Sequence, residues 1–128
     1  MAELITGNPL FPAINEKELL EFYIIRIGWP PKEMTDHCKK KRTFFDSNGK
    51  LIKSKASRVP PGSEPGSDSV AHTLRHEKDK SLVDFIIQCL AIDPAKRMTP
   101  QQALAHPWLA HIENEIEERD KEIAEKRK

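Results

Sequence analysis

His72 and His76 stand four residues apart, a spacing that would set both imidazoles on one helical face and could hold a divalent metal. A zinc peptidase of that pattern needs glutamate directly after the first histidine, and Thr73 is there instead. With no third ligand nearby, the expectation is a solvated pair and no metal. Lys39-Lys40-Lys41-Arg42 is a basic run of the kind used in nuclear import or nucleic-acid contact. One short run in a near-neutral chain is weak support, and no nucleic-acid partner is expected. Cys38 and Cys89 lie far apart without metal-like or redox-like pairing, and Cys89 falls in an apolar run that predicts a buried thiol. Ser54, Ser57, Ser63, Ser67 and Ser69 offer hydroxyls for phosphorylation, but flexible serine-rich loops are common. For nucleotide chemistry the chain has no G-x-x-x-x-G-K and no glycine-rich turn before a helix to cradle phosphates. No catalytic, cofactor-binding or metal residue is expected.

The elements that must position these groups are sparse in apolar residues. At 128 residues the chain fits one ordinary domain, but only 38% of it is apolar, 32% is charged and ten residues are proline. Lysine plus arginine (21) nearly balance aspartate plus glutamate (20), so no global field calls for nucleic acid or an anionic membrane. No run approaches the roughly 18 apolar residues of a membrane span, and the N-terminus lacks the pattern of a secretory leader. A reducing cytoplasmic and/or nuclear location, without membrane contact, is expected.

Met1 to Thr6 reads as the last turns of a helix stopped by Gly7, with Pro9 and Pro12 forbidding continuation. Since helices do not begin with their last turn, the front of the domain is expected to be missing. Residues 15–28 predict a second helix, with Asn15 as cap, Glu18 completing a capping-box-like pair, and an apolar face of Leu19, Leu20, Tyr23, Ile24 and Ile27. Gly28 and the following Trp29-Pro30-Pro31 end it. Residues 32–79 read as mostly irregular. Phe44-Phe45 and Leu51-Ile52 flank Asn48-Gly49, a hairpin signal, and 53–69 reads as a mobile loop rich in serine, proline and glycine. Residues 81–91 predict a helix capped by Ser81 with Asp84 as partner, burying Leu82, Phe85, Ile86, Cys89 and Leu90. Thr99-Pro100-Gln101-Gln102 opens another, with Leu104, Pro107 and Trp108 at its apolar end. Beyond Ala110 the charged tail predicts a solvated helix, its basic end Glu125-Lys126-Arg127-Lys128 suiting the helix dipole.

Several segments, in order, resemble one kinase group. Glu3-Leu4-Ile5-Thr6-Gly7-Asn8-Pro9-Leu10-Phe11-Pro12 resembles the E-L-x-T-G-x-P-L-F-P that ends the F helix of a protein kinase large lobe. The helix ending Ile27-Gly28-Trp29-Pro30-Pro31 resembles the G helix with its L-G-x-P-P exit. Lys41-Arg42-Thr43-Phe44-Phe45-Asp46-Ser47-Asn48-Gly49 is similar to the insert of the dual-specificity tyrosine-regulated kinases. Ser81 to Leu90 resembles the H helix, and Asp93-Pro94-Ala95-Lys96-Arg97-Met98-Thr99 with His106-Pro107-Trp108 resembles the D-P-x-x-R-x-T and H-P-W that close the lobe. The resemblance covers residues 3–109. A lengthened insert, at Glu64-Pro65-Gly66-Ser67-Asp68, departs from the family pattern.

The resemblance implies a mainly α fold, an incomplete kinase-like large lobe. Residues 1–110 would be the partial kinase domain: 1–7 the end of the F helix, 15–28 the G helix, 29–79 a loop-rich insert with a short hairpin, and 80–110 the H and I helices. Residues 111–128 would be a charged helical tail. A complete relative would use ATP and Mg to phosphorylate serine, threonine or tyrosine; this chain, without H-R-D, D-F-G or A-P-E, is expected to need no cofactor and to be inactive alone. Gly28, Pro30, Pro31, Asp93, Arg97 and Trp108 would be structural, with Asp93 a turn acceptor and Trp108 a packing residue. Arg97 would be one half of a buried ion pair with the A-P-E glutamate. Removing one partner of such a pair costs roughly 3–5 kcal/mol, so Arg97 is expected to be solvated or poorly held. Lys41, Arg42, Phe44 and Phe45 are candidate docking residues. Protein substrates or docking proteins would use the G helix and insert, and the chain would be a monomer or aggregation-prone. Two alternatives stay open: a stand-alone or dominant-negative docking module, and an incomplete gene model of an active kinase.

Overall fold

The computed structural model describes residues 1–126. Helices follow one another as α1 Ala2–Thr6, α2 Glu16–Ile27, α3 Lys32–Asp36, α4 Lys41–Phe44, α5 Val70–Thr73, α6 Lys80–Cys89, α7 Pro100–Leu104 and α8 Pro107–Lys126. Among the described residues there is no sheet: the expected hairpin is a single antiparallel bridge between Phe45 and Leu51. Its turn is held by the Asp46 carboxylate, which accepts from the backbone N–H of Asn48 (2.9 Å) and Lys50 (2.8 Å). The fold is mainly α, as the sequence implies.

The core is divided between two small clusters, with α2 contributing to both. Val70, Leu74, Val83 and Ile86 form one, joined by partly buried Ile5, Ile27, Leu82 and Leu90. Phe22, Ile25 and Val59 form the other, against Phe11 and Ala13. Val59, Val70 and Leu74 all come from 32–79, so that stretch is not simply irregular. Its short helices α3, α4 and α5 carry little periodicity, and tertiary packing rather than propensity stabilises pieces this short.

Helix starts correct two cap assignments. At α2, Asn15 does cap, accepting from Glu18 N–H at 2.9 Å. The Glu18 carboxylate, however, accepts from Ile14 N–H (2.8 Å) rather than closing a box on Asn15. At α6, Asp79 replaces Ser81 as cap, accepting from Ser81 N–H (3.0 Å) and Leu82 N–H (3.2 Å). An ionised carboxylate two residues upstream is the better acceptor, and the Ser81 hydroxyl itself donates to it at 2.6 Å. With the core face of α6 set by Val83 and Ile86, Cys89 is exposed, not buried. At α7 the capping box of Thr99 and Gln102 forms with Pro100 in the first turn.

The helix expected through Trp108 instead breaks. Pro107 cannot donate a backbone N–H to a continuing helix, so it opens α8, whose first turn bonds back to His106 O from Leu109 (2.9 Å) and Ala110 (3.0 Å). Along the tail Ile116 and Ile123 are exposed, as a solvated helix requires. Arg127 and Lys128, the basic end of the expected tail, lie outside the described residues.

Candidate docking groove and the carboxylates that hold the insert

The segment read from sequence as a mobile loop is tied to α2 by two glutamates. Glu18 is fully buried and Glu21 is 2% exposed. They lie three apart, on neighbouring positions of one helical face. Glu18 accepts from Arg58 N–H at 2.8 Å, Arg58 Nε at 3.0 Å and Arg58 Nη2 at 3.1 Å, besides Ile14 N–H. Arg58 Nη2 also reaches Pro12 O. These donors, with Arg58 foremost, pull the Glu18 carboxyl from its ordinary 4.5 down to about 2, outweighing burial. Glu21 accepts from Ser54 N–H and from the Ser57 hydroxyl, both at 2.7 Å. Two buried acceptors thereby take the Ser54 and Arg58 backbone N–H groups and the Ser57 hydroxyl without any strand or helix.

Further along, the insert meets the C-terminal end of the same helix. Gly66 N–H donates to Ile24 O (3.0 Å) and Asp68 N–H to Ile25 O (3.1 Å). Arg26 pairs with Asp68 at 3.2 Å and donates to Thr73 Oγ1 at 2.9 Å. Gly28 ends α2 with φ 113°, a conformation L side chains rarely adopt, while its N–H donates to Ile24 O at 2.9 Å. The turn lets Pro30 and Pro31 carry the chain across the end of the helix into α3.

A groove of about 420 Å³ opens on the other side of α2. Leu19, Leu20 and Tyr23 form its helical wall, Phe44 and Phe45 its insert wall, and Pro30 and Arg97 also line it. The α2 residues expected to be buried as a core face thus include three that line an open groove. The structure brings together Phe44, Phe45, Pro30 and Arg97 from three places in the sequence. It does not bring Lys41 or Arg42 with them. Lys41 is turned to Asp36 at 2.7 Å, holding that carboxyl below its usual range, and Arg42 is exposed. Lys40 is the insert cation on the groove, paired with Glu16 at 3.0 Å.

Arg97 is exposed and folded onto its own turn, with Nε donating to Ala91 O (2.9 Å) and Nη2 to Ile92 O (3.3 Å). Asp93 holds that turn. Its carboxylate accepts from Ala95 N–H at 2.9 Å, and its carbonyl accepts from Lys96 and Arg97 at 3.0 Å. Trp108 lies away from the groove, its ring 4.8 Å from Phe85. Beside it, buried His106 reaches the Asp84 carboxylate at 3.1 Å. His72 stands 3.6 Å from Asp68, and the described residues hold no group of three or more metal-ligating side chains that includes it. Sequence reasoning missed Glu18 and Glu21 as anchors. The one available signal was a pair of acids interrupting the apolar run of α2.

No protein-family model matches the chain. Curated proteins do. It is 42% identical over 111 residues to dual specificity tyrosine-phosphorylation-regulated kinase 2 of Drosophila melanogaster, an alignment covering 85% of this chain and 15% of the fly protein. It is 41% identical over 112 residues to the DYRK-family kinase pom1 of Schizosaccharomyces pombe, covering 85% of this chain and 10% of that one. With dual specificity tyrosine-phosphorylation-regulated kinase 4 of Homo sapiens the figures are 38% over 113 residues, 88% and 21%. The chain therefore matches a small part of much longer protein kinases, between a tenth and about a fifth of the length of these three. It is homologous to a part of the dual-specificity tyrosine-phosphorylation-regulated kinases.

Proposed function

We propose that this segment is the anchoring end of the large lobe of a dual-specificity kinase, framework and docking surface rather than chemistry. The carrying observation is the groove that unites α2, the insert aromatics and Arg97. Its apolar walls and one guanidinium suit a peptide segment bearing apolar side chains and a carboxylate. By family resemblance that segment is the A-P-E stretch of the activation segment, with its glutamate taken up by Arg97. A planar guanidinium matches a carboxylate bidentately, and Arg97 has only backbone carbonyls to exchange for it.

The groove is walled mainly by Leu19, Leu20, Tyr23, Phe44 and Phe45, apolar and aromatic side chains that suit a peptide better than a polyphosphate. Phosphoryl transfer by the complete kinase, to serine, threonine or tyrosine, is assigned to other parts of it. A docking role for the isolated segment is supported by its two internal clusters, which give α2 and α6 something to bury against.

The test is binding of a labelled synthetic peptide containing A-P-E with apolar flanks, followed by fluorescence anisotropy. Charge-assisted pairs are worth about 1.5–3 kcal/mol, so Arg97→Ala, or glutamine in place of the peptide glutamate, should weaken binding by roughly ten- to a hundredfold. Equal affinity for the glutamate and glutamine peptides would remove Arg97 from the proposed role.

A further inference from the structure

We propose that Ser57 is a phosphorylation site whose modification releases residues 53–58 of the insert from α2. Its hydroxyl is half-buried and donates at 2.7 Å to Glu21, a carboxylate only 2% exposed. The same carboxylate holds Ser54 N–H, and Glu18, one turn earlier on α2, holds Arg58. Ser57 is therefore the one side-chain hydroxyl among the described contacts of these anchors, and its donor role depends on its remaining unesterified.

In the modifying step the Ser57 oxygen bonds to the γ-phosphorus of ATP while the bond to the β,γ-bridging oxygen breaks. ADP leaves, and the hydroxyl proton passes to a base of the modifying kinase. The product has lost its donor and carries a charge of about −1.5 to −2, placed against one buried carboxylate and close to a second. Lys53, Lys55 and Arg58 flank the serine. They suit a modifying kinase with an acidic substrate groove, but they cannot hold the phosphoserine on α2. Lys53 and Lys55 are exposed and travel with the segment, and Arg58 is committed to Glu18. Repulsion is left to decide the outcome. This inference stands on the Glu18 and Glu21 contacts alone and does not depend on what fills the groove.

The experiment incorporates phosphoserine at position 57 of the whole chain by stop-codon suppression and measures amide hydrogen exchange at Ser54 and Arg58. Protection at both amides should fall by at least about tenfold, whereas phosphoserine at 67 should leave it unchanged. A second variant, phosphoserine 57 combined with Glu21→Gln, removes the facing charge and should recover most of the protection. It should also recover the cooperative melt if the singly modified chain loses it. Unchanged protection with phosphoserine 57, or no recovery with Glu21→Gln, would overturn the mechanism. A purified basic-directed serine kinase with ATP and Mg should label Ser57 in the folded chain. Labelling confined to a peptide of residues 50–62 would overturn its status as a site.

Discussion

Glu18 and Glu21 put carboxylate oxygens on the buried face of α2, and each is held by hydrogen bonds from the insert. Together they accept six of the hydrogen bonds described above, from Ile14, Ser54, Ser57 and Arg58. A buried acid is costly unless fully paired, so the pairing ties the insert to α2 strongly and one-sidedly. Glu18 sets a pH window. Its folded pKa of about 2 lies below its ordinary 4.5, so its contribution is complete above 4.5 and is lost as pH falls toward 2. Melts of the chain and of Glu18→Gln should differ by a constant amount above pH 5 and converge between pH 4.5 and 2. A gap that stays constant down to pH 2.5 would show that Glu18 does not carry the linkage. Neither anchor could be read locally: apart from Ile14, the partners of Glu18 and Glu21 stand 33 to 40 residues on, in a segment whose composition argues for solvent.

At the scale of elements, local chemistry is legible wherever a cap or a glycine decides. Gly7, with φ 72°, and the Thr99–Gln102 box follow from residue types alone, because side chain and backbone satisfy each other within one turn. Where the partner is distant the reading fails. Helix α5 has four residues and no periodicity of note, yet it places Val70 and Leu74 in the larger cluster. Cys89 fails for a related reason: the apolar run around it exceeds what one face of α6 can bury. Two leucines separate these cases experimentally. Leu74, 1% exposed, should cost about 2–5 kcal/mol as Leu74→Ala. Leu104, 71% exposed on α7, should change stability by no more than about 0.5 kcal/mol as Leu104→Ala. Denaturant melts of the two variants give the comparison, and equal costs would mean the α5–α6 cluster is not the core.

The whole molecule is a framework held by two small apolar clusters and one polar seam. Leu4 and Leu104 stay in solvent, and no helix among the described residues is long and apolar enough to cross a membrane. Under the proposed reading, the exposed apolar faces and the groove meet other parts of a kinase domain. The kinship was legible because D-P-x-x-R-x-T, H-P-W and the insert motif are local strings. The groove was not, because it is assembled from α2, the insert and the Arg97 turn, which share no sequence neighbourhood. Under the proposed reading, these residues support phosphoryl transfer without performing it. The direct test of that reading is phosphate incorporation by the purified 128-residue chain, incubated with labelled ATP, Mg and a generic protein substrate after removal of contaminating kinases. No incorporation above a no-enzyme control is expected; incorporation that copurifies with the chain would contradict the account.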